Sequence, residues 1–148
     1  MPKKLRFGML MAALWWGSLT ALGALVVPLL FQNLGSPQVA GAMAAKLFAA
    51  QTWLSIGCAM VLLLLLNKKE DMPHPVAQSV MPWLVAGLLL AVLVEFGVSP
   101  RIVTARATGG DLKLWHGLGS AMYLAQWLSA TLVLWRMTAL AASTERAD

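Results

Sequence analysis

The stretch 114-LWHGLGSAMYLAQWLSATLVLW-135 decides the fold. Its 22 residues carry no formal charge, and a helix of that length, at ~1.5 Å per residue, crosses a hydrocarbon core of ~30 Å. It opens on Trp115-His116-Gly117. An imidazole at the end of an apolar span is costly to desolvate unless a partner receives it. What His116 meets is the question the rest of the chain has to answer.

Working outward, the same composition extends through all 148 residues, of which 59% are hydrophobic and 11% charged. Soluble domains carry roughly 25% charged residues, so a membrane protein is indicated. Charge-free windows run over Phe7–Ala45, Leu47–Asn67, Met72–Val94 and Leu114–Trp135, and each holds one spanning helix. The expected fold is all-α, a polytopic membrane four-helix bundle with short interfacial helices. It forms a single membrane domain over 1–148, with spans near 8–31, 45–66, 82–97 and 114–135 and a flexible tail at 141–148. The net charge of +5 reads as anionic-lipid contact and a topology signal. No basic face with stacking aromatics is present, so no nucleic acid is expected. Cys58 is the one cysteine; it makes no internal disulfide and reads as a small core residue.

Lys3, Lys4 and Arg6 precede an apolar run, Phe7 to Phe31, far longer than the roughly 7–15 residues of a signal-peptide core. An uncleaved first helix is expected. Gly17, Ala21, Ala24 and Pro28 follow at steps of three or four, a stripe on which a neighbouring helix can approach closely. Pro28 should kink this helix. Trp15 and Trp16 sit too deep for an interfacial belt and should pack between helices. Ser36-Pro37 reads as a cap followed by a first helical residue. A helix from there to Leu66 outruns the hydrocarbon, so its turns up to Lys46 belong in the interface, with Lys46 either a snorkelling anchor or a site residue. Leu62 to Leu66 reads as lipid-facing surface.

Asn67 to Gln78 is the one strongly polar loop. Its Met72 and His74, flanked by prolines, fall short of a metal site. Pro82 suits the first turn of the third helix, which puts Gly87, Ala91 and Glu95 on one face. Ser99-Pro100 starts a short interfacial helix through Arg101 and Arg106, Gly109-Gly110 ends it, and Asp111 caps the fourth helix. On that helix His116, Gly119, Ser120, Tyr123 and Gln126 lie within an arc of roughly 120°, a polar and small stripe expected to face the bundle.

With both termini inside, Lys3, Lys4, Arg6, Lys68, Lys69, Arg136 and Arg146 lie on the inner side. Only Lys46, Arg101, Arg106 and Lys113 then lie outside, so the positive-inside rule places both termini in the cytoplasm of a cell inner (plasma) membrane protein. Pro28, Lys46, Glu95, Arg101 and His116 then share the non-cytoplasmic end. They form either a polar cluster that locks the outer ends of the bundle or, with Ser120 and Tyr123, a shallow binding site for an ion, proton or amphipathic ligand.

Several residues carry a family likeness: Gly17, Pro28, Leu30-Phe31, Lys46-Leu47-Phe48, Pro100-Arg101 and, most specifically, His116-Gly117-Leu118-x-Ser120. In these the chain resembles the transmembrane-protein-205-like family from about residue 8 to 135. That resemblance implies a four-helix integral membrane domain with no established activity. It is more distantly similar to copper-resistance and protoporphyrinogen-oxidase-type four-helix membrane proteins, which keeps a metal or haem alternative in view. Tyr123 stands where the family often has asparagine, and Ala49 where eukaryotic members often have proline.

Three functions compete. The first is an accessory or structural bundle whose partners are membrane lipids, other membrane proteins or itself. The second is a small transporter or ligand-binding protein using Lys46, Glu95 and His116. The third, a haem or metal redox protein, is the weakest, because the second histidine, His74, falls at the opposite membrane side. No paired carboxylates, Ser/His/Asp set, Cys-x-x-Cys or phosphate loop occurs, so no catalytic residue, metal ligand or cofactor is expected.

Overall fold

Caps and prolines set where the helices start, bend and stop. The computed structural model describes residues 3–67 and 74–145. Lys3–Ala21 (α1) passes through one π-helical turn, Leu22–Val26, into Val27–Asn33 (α2). Pro37–Asn67 (α3) follows a short turn. His74–Leu93 (α4) passes through a second π turn, Val94–Val98, into Ser99–Thr108 (α5), and Leu112–Glu145 (α6) closes the chain. A proline removes one N–H and crowds the carbonyl four residues back. For Pro28 that carbonyl belongs to Ala24 and for Pro100 to Phe96, the middle residue of each π turn. The extra residue in the turn absorbs the lost bond, and the helix continues.

Both caps form. Ser36 Oγ accepts from the Val39 amide at 3.2 Å, and Asp111 Oδ1 accepts from the Leu114 amide at 2.9 Å. Gly109, at φ 75°, ends α5 in the left-handed conformation that glycine adopts without strain. Four helical segments are long and apolar enough to cross a membrane: Lys3–Asn33, Pro37–Asn67, Ala77–Thr108 and Leu112–Ala139. No strand occurs among the described residues. The chain is a multi-pass membrane protein.

The spans form a ring in which each packs against its two antiparallel neighbours, first on second, second on third, third on fourth and fourth on first. Leu5, Gly8, Ala12, Trp15, Leu19 and Leu22 line the inner face of the first span. Their alternating steps of three and four give the 3.5-residue period of left-handed packing. Val80, Leu84, Gly87 and Ala91 do the same on the third span. Gly87 and Ala91 therefore sit in the core as the pattern predicts. A Cβ added at Gly87 would lie 2.6 Å from Trp15 Cη2, so glycine makes room for a fully buried indole.

Other expectations need correction. Gly17, Ala21, Ala24 and Pro28 do not form the packing stripe: Ala21, Ala24 and Pro28 are exposed, and a Cβ at Gly17 would meet nothing. Trp15 and Leu19 hold the inward direction, and Gly17, about 200° around the helix from either, points away. Besides buried Gly8, Gly23 faces a neighbour, against the Tyr123 ring. Leu62 and Leu66 are core residues, not lipid surface. The third span starts before Pro82, which sits exposed inside α4. The outward-facing ring costs no packing there. At the C-terminal end α6 continues to Glu145 through residues whose composition suggests a frayed tail.

Two arginine–tryptophan contacts lie at the two ends of the bundle, spaced as membrane boundaries would be. The Arg136 guanidinium lies 5.7 Å from the Trp83 ring centroid and donates to the Ser79 carbonyl at 2.8 Å. At the other end, Arg101 lies 4.8 Å from the Trp115 ring centroid. From Trp83 to Arg101 is 18 residues and from Trp115 to Arg136 is 21. At ~1.5 Å per residue these are about 27 and 32 Å, the thickness of a hydrocarbon core. The Arg136 end, from which α1 starts at Lys3, is the terminal end of the bundle, and the Arg101 end is the distal one.

Candidate functional site

The polar groups that meet inside the bundle lie on its axis, halfway between those boundaries. Gln126 is 11 residues from Trp115 and 10 from Arg136, so it sits near the bilayer midplane. Its Nε2 donates across the bundle to Ser55 Oγ at 3.1 Å. Gln51 Nε2 donates to the same oxygen at 3.3 Å and to Ser18 Oγ at 2.9 Å. Ser18 donates in turn to the Trp15 carbonyl at 2.9 Å. Gln51, Ser55 and Gln126 are all buried. Two further bonds tie the fourth span to the first: Tyr123 Oη donates to the Leu19 carbonyl at 2.8 Å, and Trp127 Nε1 donates to Thr20 Oγ1 at 2.8 Å. Phe48 meets the Tyr123 ring edge-on at 5.2 Å between centroids.

Why these residues turn inward follows from helical spacing. Gln51 and Ser55 are one turn apart, so both face the axis, as do Gln126 and Ser129 on the fourth span. In hydrocarbon an unpaired amide costs more than an apolar side chain, so the carboxamides gather where they satisfy each other. Satisfaction is incomplete, because Trp15 Nε1 and Trp16 Nε1 are buried without an acceptor. All members of the network are neutral. The network can fix the register of three spans, but it offers no carboxylate, imidazole or thiol for proton transfer.

At the distal end the ionisable residues stand apart. Lys46, Arg101, His116 and Ser120 are exposed and Glu95 is half-buried. No hydrogen bond or ion pair joins any of Lys46, Glu95, Arg101 and His116 among the described residues. Helix register explains the separation. Arg106 lies over Gly41 and Phe96 lies against Trp53. Lys46 therefore falls opposite residues 101–103, and Glu95 opposite residues 52–54. Seven residues of helix, about 10 Å, separate the two levels.

The polar stripe expected on the fourth span divides. Tyr123 and Gln126 face the bundle and Gly119 packs on Val98 and Ile102, but His116 and Ser120 turn outward. Trp115, stacked under Arg101, takes the inward place at that level. His74 has no described side chain, and Met72 lies outside the described residues. Among the described residues no three His, Cys, Asp or Glu side chains gather in a way that could hold a metal ion.

The residues missed from sequence are Ser18, Gln51 and Ser55. One signal was available: Gln51 and Gln126 are the carboxamides deepest within their charge-free windows, and polar groups at that depth require partners.

The sequence matches the family described as Domain of unknown function (DUF4149) over residues 10–111. The chain belongs to that family. Neither a curated protein nor a solved structure matches it. The family match takes in the first three spans and Pro100-Arg101 and ends at the Asp111 cap, before His116.

Proposed function

We propose that this member of the family is an accessory membrane protein, a closed bundle that presents its outside to lipids, other membrane proteins or itself and performs no chemistry of its own. One observation carries this reading: the axis is filled by the chain's own side chains. Trp15 is fully buried against Gly87, and the midplane amides are joined through Ser55. A path for a solute through the centre would have to displace both. The excess of lysine and arginine at the terminal end favours cytoplasmic termini in an inner membrane.

Crosslinking in intact membranes followed by mass spectrometry tests the accessory role. A recurrent second membrane protein, or a specific self-contact, is the expected result. Solute flux through proteoliposomes above that of empty vesicles would overturn the closed-bundle reading.

A further inference from the structure

The two halves of the chain repeat one another in position though scarcely in sequence. The π turn Leu22–Val26 and Pro28 recur 72 residues later as Val94–Val98 and Pro100. Buried Gly8, Ala12, Trp15 and Leu19 recur at the same offset as buried Val80, Leu84, Gly87 and Ala91. In the second helix of each half the offset is 75. The Ser36 cap on the Val39 amide recurs as the Asp111 cap on the Leu114 amide. Buried Gln51, Ser55, Cys58, Leu62 and Leu66 recur as buried Gln126, Ala130, Val133, Met137 and Ala141. Three pairs of equivalent positions also meet across the centre: Trp15 with Gly87, Phe48 with Tyr123, and Gln51 with Gln126 through Ser55. Residues beside a two-fold axis must do this. The halves enter the membrane in the same direction, so the axis runs along its normal.

One half is therefore a control for the other, because a residue needed only for the scaffold should have a counterpart. The distal charges have none. Arg101 stands where the first half has Leu29, Lys113 where it has Gln38, His116 where it has Gly41 and Glu95 where it has Gly23. Arg106 lies on the stretch between Pro100 and Asp111, which is three residues longer than its counterpart between Pro28 and Ser36. The first half offers only Lys46 in exchange, opposite Ala121.

Among the described residues, neither Arg101, Arg106 nor Lys113 has a hydrogen-bonding or ionic partner. Arg101 rests on an aromatic face and Arg106 on a glycine, where a Cβ would lie 3.0 Å from its nitrogen. Both guanidiniums are exposed with their donors free at the distal end, which also exposes Val103 and Leu114. A phosphate diester among acyl chains matches that mixture of cation and apolar surface.

We infer that the protein is a pseudo-two-fold pair of helical hairpins, and that Arg101, Arg106 and Lys113 form a docking surface for anionic phospholipid headgroups built onto the second hairpin alone. This extends the proposed accessory role but does not depend on it, since lipid binding is read separately from crosslinks or flux.

The test replaces Arg101 and Lys113 of the full-length protein with their counterparts, as Arg101→Leu and Lys113→Gln, together with Arg106→Leu on the added stretch. Unfolding midpoints are measured in phosphatidylcholine nanodiscs with and without phosphatidylglycerol. A second variant, Lys3→Gln/Lys4→Gln/Arg6→Gln, reports what the terminal-end cations contribute. The expected result is a midpoint in phosphatidylcholine within two degrees of wild type, with at least half of the phosphatidylglycerol-induced rise lost. A larger fall in phosphatidylcholine would make these residues structural and overturn the inference. Retention of more than half of the rise would also overturn it, leaving a protein as the occupant of the surface.

The symmetry is tested by exchange across the axis. Moving the shared hydroxyl, as Ser55→Ala/Ala130→Ser, should recover at least half of the stability lost in Ser55→Ala. A smaller recovery refutes the equivalence of the two halves.

Discussion

Gly87→Ala gives the sharpest test of how the bundle is packed. The added methyl carbon would lie 2.6 Å from Trp15 Cη2, 2.9 Å from Cζ2 and 3.2 Å from Ser129 Cβ, against an ordinary contact of 3.4–4 Å. Trp15 is fully buried and cannot swing aside without opening the core. Overpacking of this kind costs about 1–3 kcal/mol beyond any other change. Alanine in place of helical glycine returns about 1 kcal/mol through propensity. The net expectation is a loss of up to about 2 kcal/mol, and a stability about 1–3 kcal/mol below that of an unobstructed Gly→Ala change. Reversible unfolding of the purified protein in mixed micelles of rising SDS fraction measures it. Gly17→Ala is the matched control, because a Cβ there meets nothing; it should be neutral or gain up to about 1 kcal/mol. Trp15→Phe removes the two ring carbons in question, so Trp15→Phe/Gly87→Ala should be more stable than the two single losses predict when added. If Gly87→Ala matches Gly17→Ala, or the double variant is simply additive, the packing argument is refuted.

The network and the distal end yield three more predictions. Ser55→Ala removes the acceptor shared by Gln51 and Gln126 and should cost about 1–3 kcal/mol, since a buried amide donor is left unpaired; the same SDS titration checks it. Tyr123→Phe keeps the edge-on contact with Phe48 but loses the bond to the Leu19 carbonyl, a loss of about 0.6–1.7 kcal/mol on the scale of interhelical bonds in membranes. His116→Ala should shift stability by less than about 0.5 kcal/mol, as surface substitutions do, because His116 is exposed and partnerless among the described residues; a larger shift would place it in a contact the bundle does not show.

The spans were legible because they depend on composition and length, which no packing detail can reverse. The caps at Ser36 and Asp111 and the stop at Gly109 were legible for a related reason: each is a local interaction, settled within four residues of chain. Facing was harder to read. The stripe of Gly17, Ala21, Ala24 and Pro28 obeys helical spacing as well as the true inner face from Leu5 to Leu22 does. Small size alone does not say which stripe a neighbour uses. The size complement does, and it lies on another span, at Gly87. The distal cluster failed for a reason of the same kind. Lys46 and Glu95 each lie toward one end of a helix, but depth along a helix becomes a distance only when the register between helices is known.

The solvent explains why the axis carries both a large-to-small contact and a chain of amides. In water a bundle closes because apolar faces leave the solvent, and many interdigitations serve. In lipid the outside is as apolar as the inside, so that drive is absent and association rests on close packing and interhelical hydrogen bonds. Trp15 opposite Gly87 supplies the first, and its buried Nε1 goes without an acceptor. Such a loss is tolerable only where the ring's contacts outweigh it. Gln51, Ser55 and Gln126 supply the second, and they also select one register, since sliding a span by one turn would separate the amides from Ser55 in a medium with no water to replace it. The first span joins through Ser18, Leu19 and Thr20, whereas the third contributes no side chain to the network. It is held instead by Gly87 and Ala91 in the core and by the bond from Arg136 to the Ser79 carbonyl at the terminal end, and so it is the span that a loss of shape complementarity should release first.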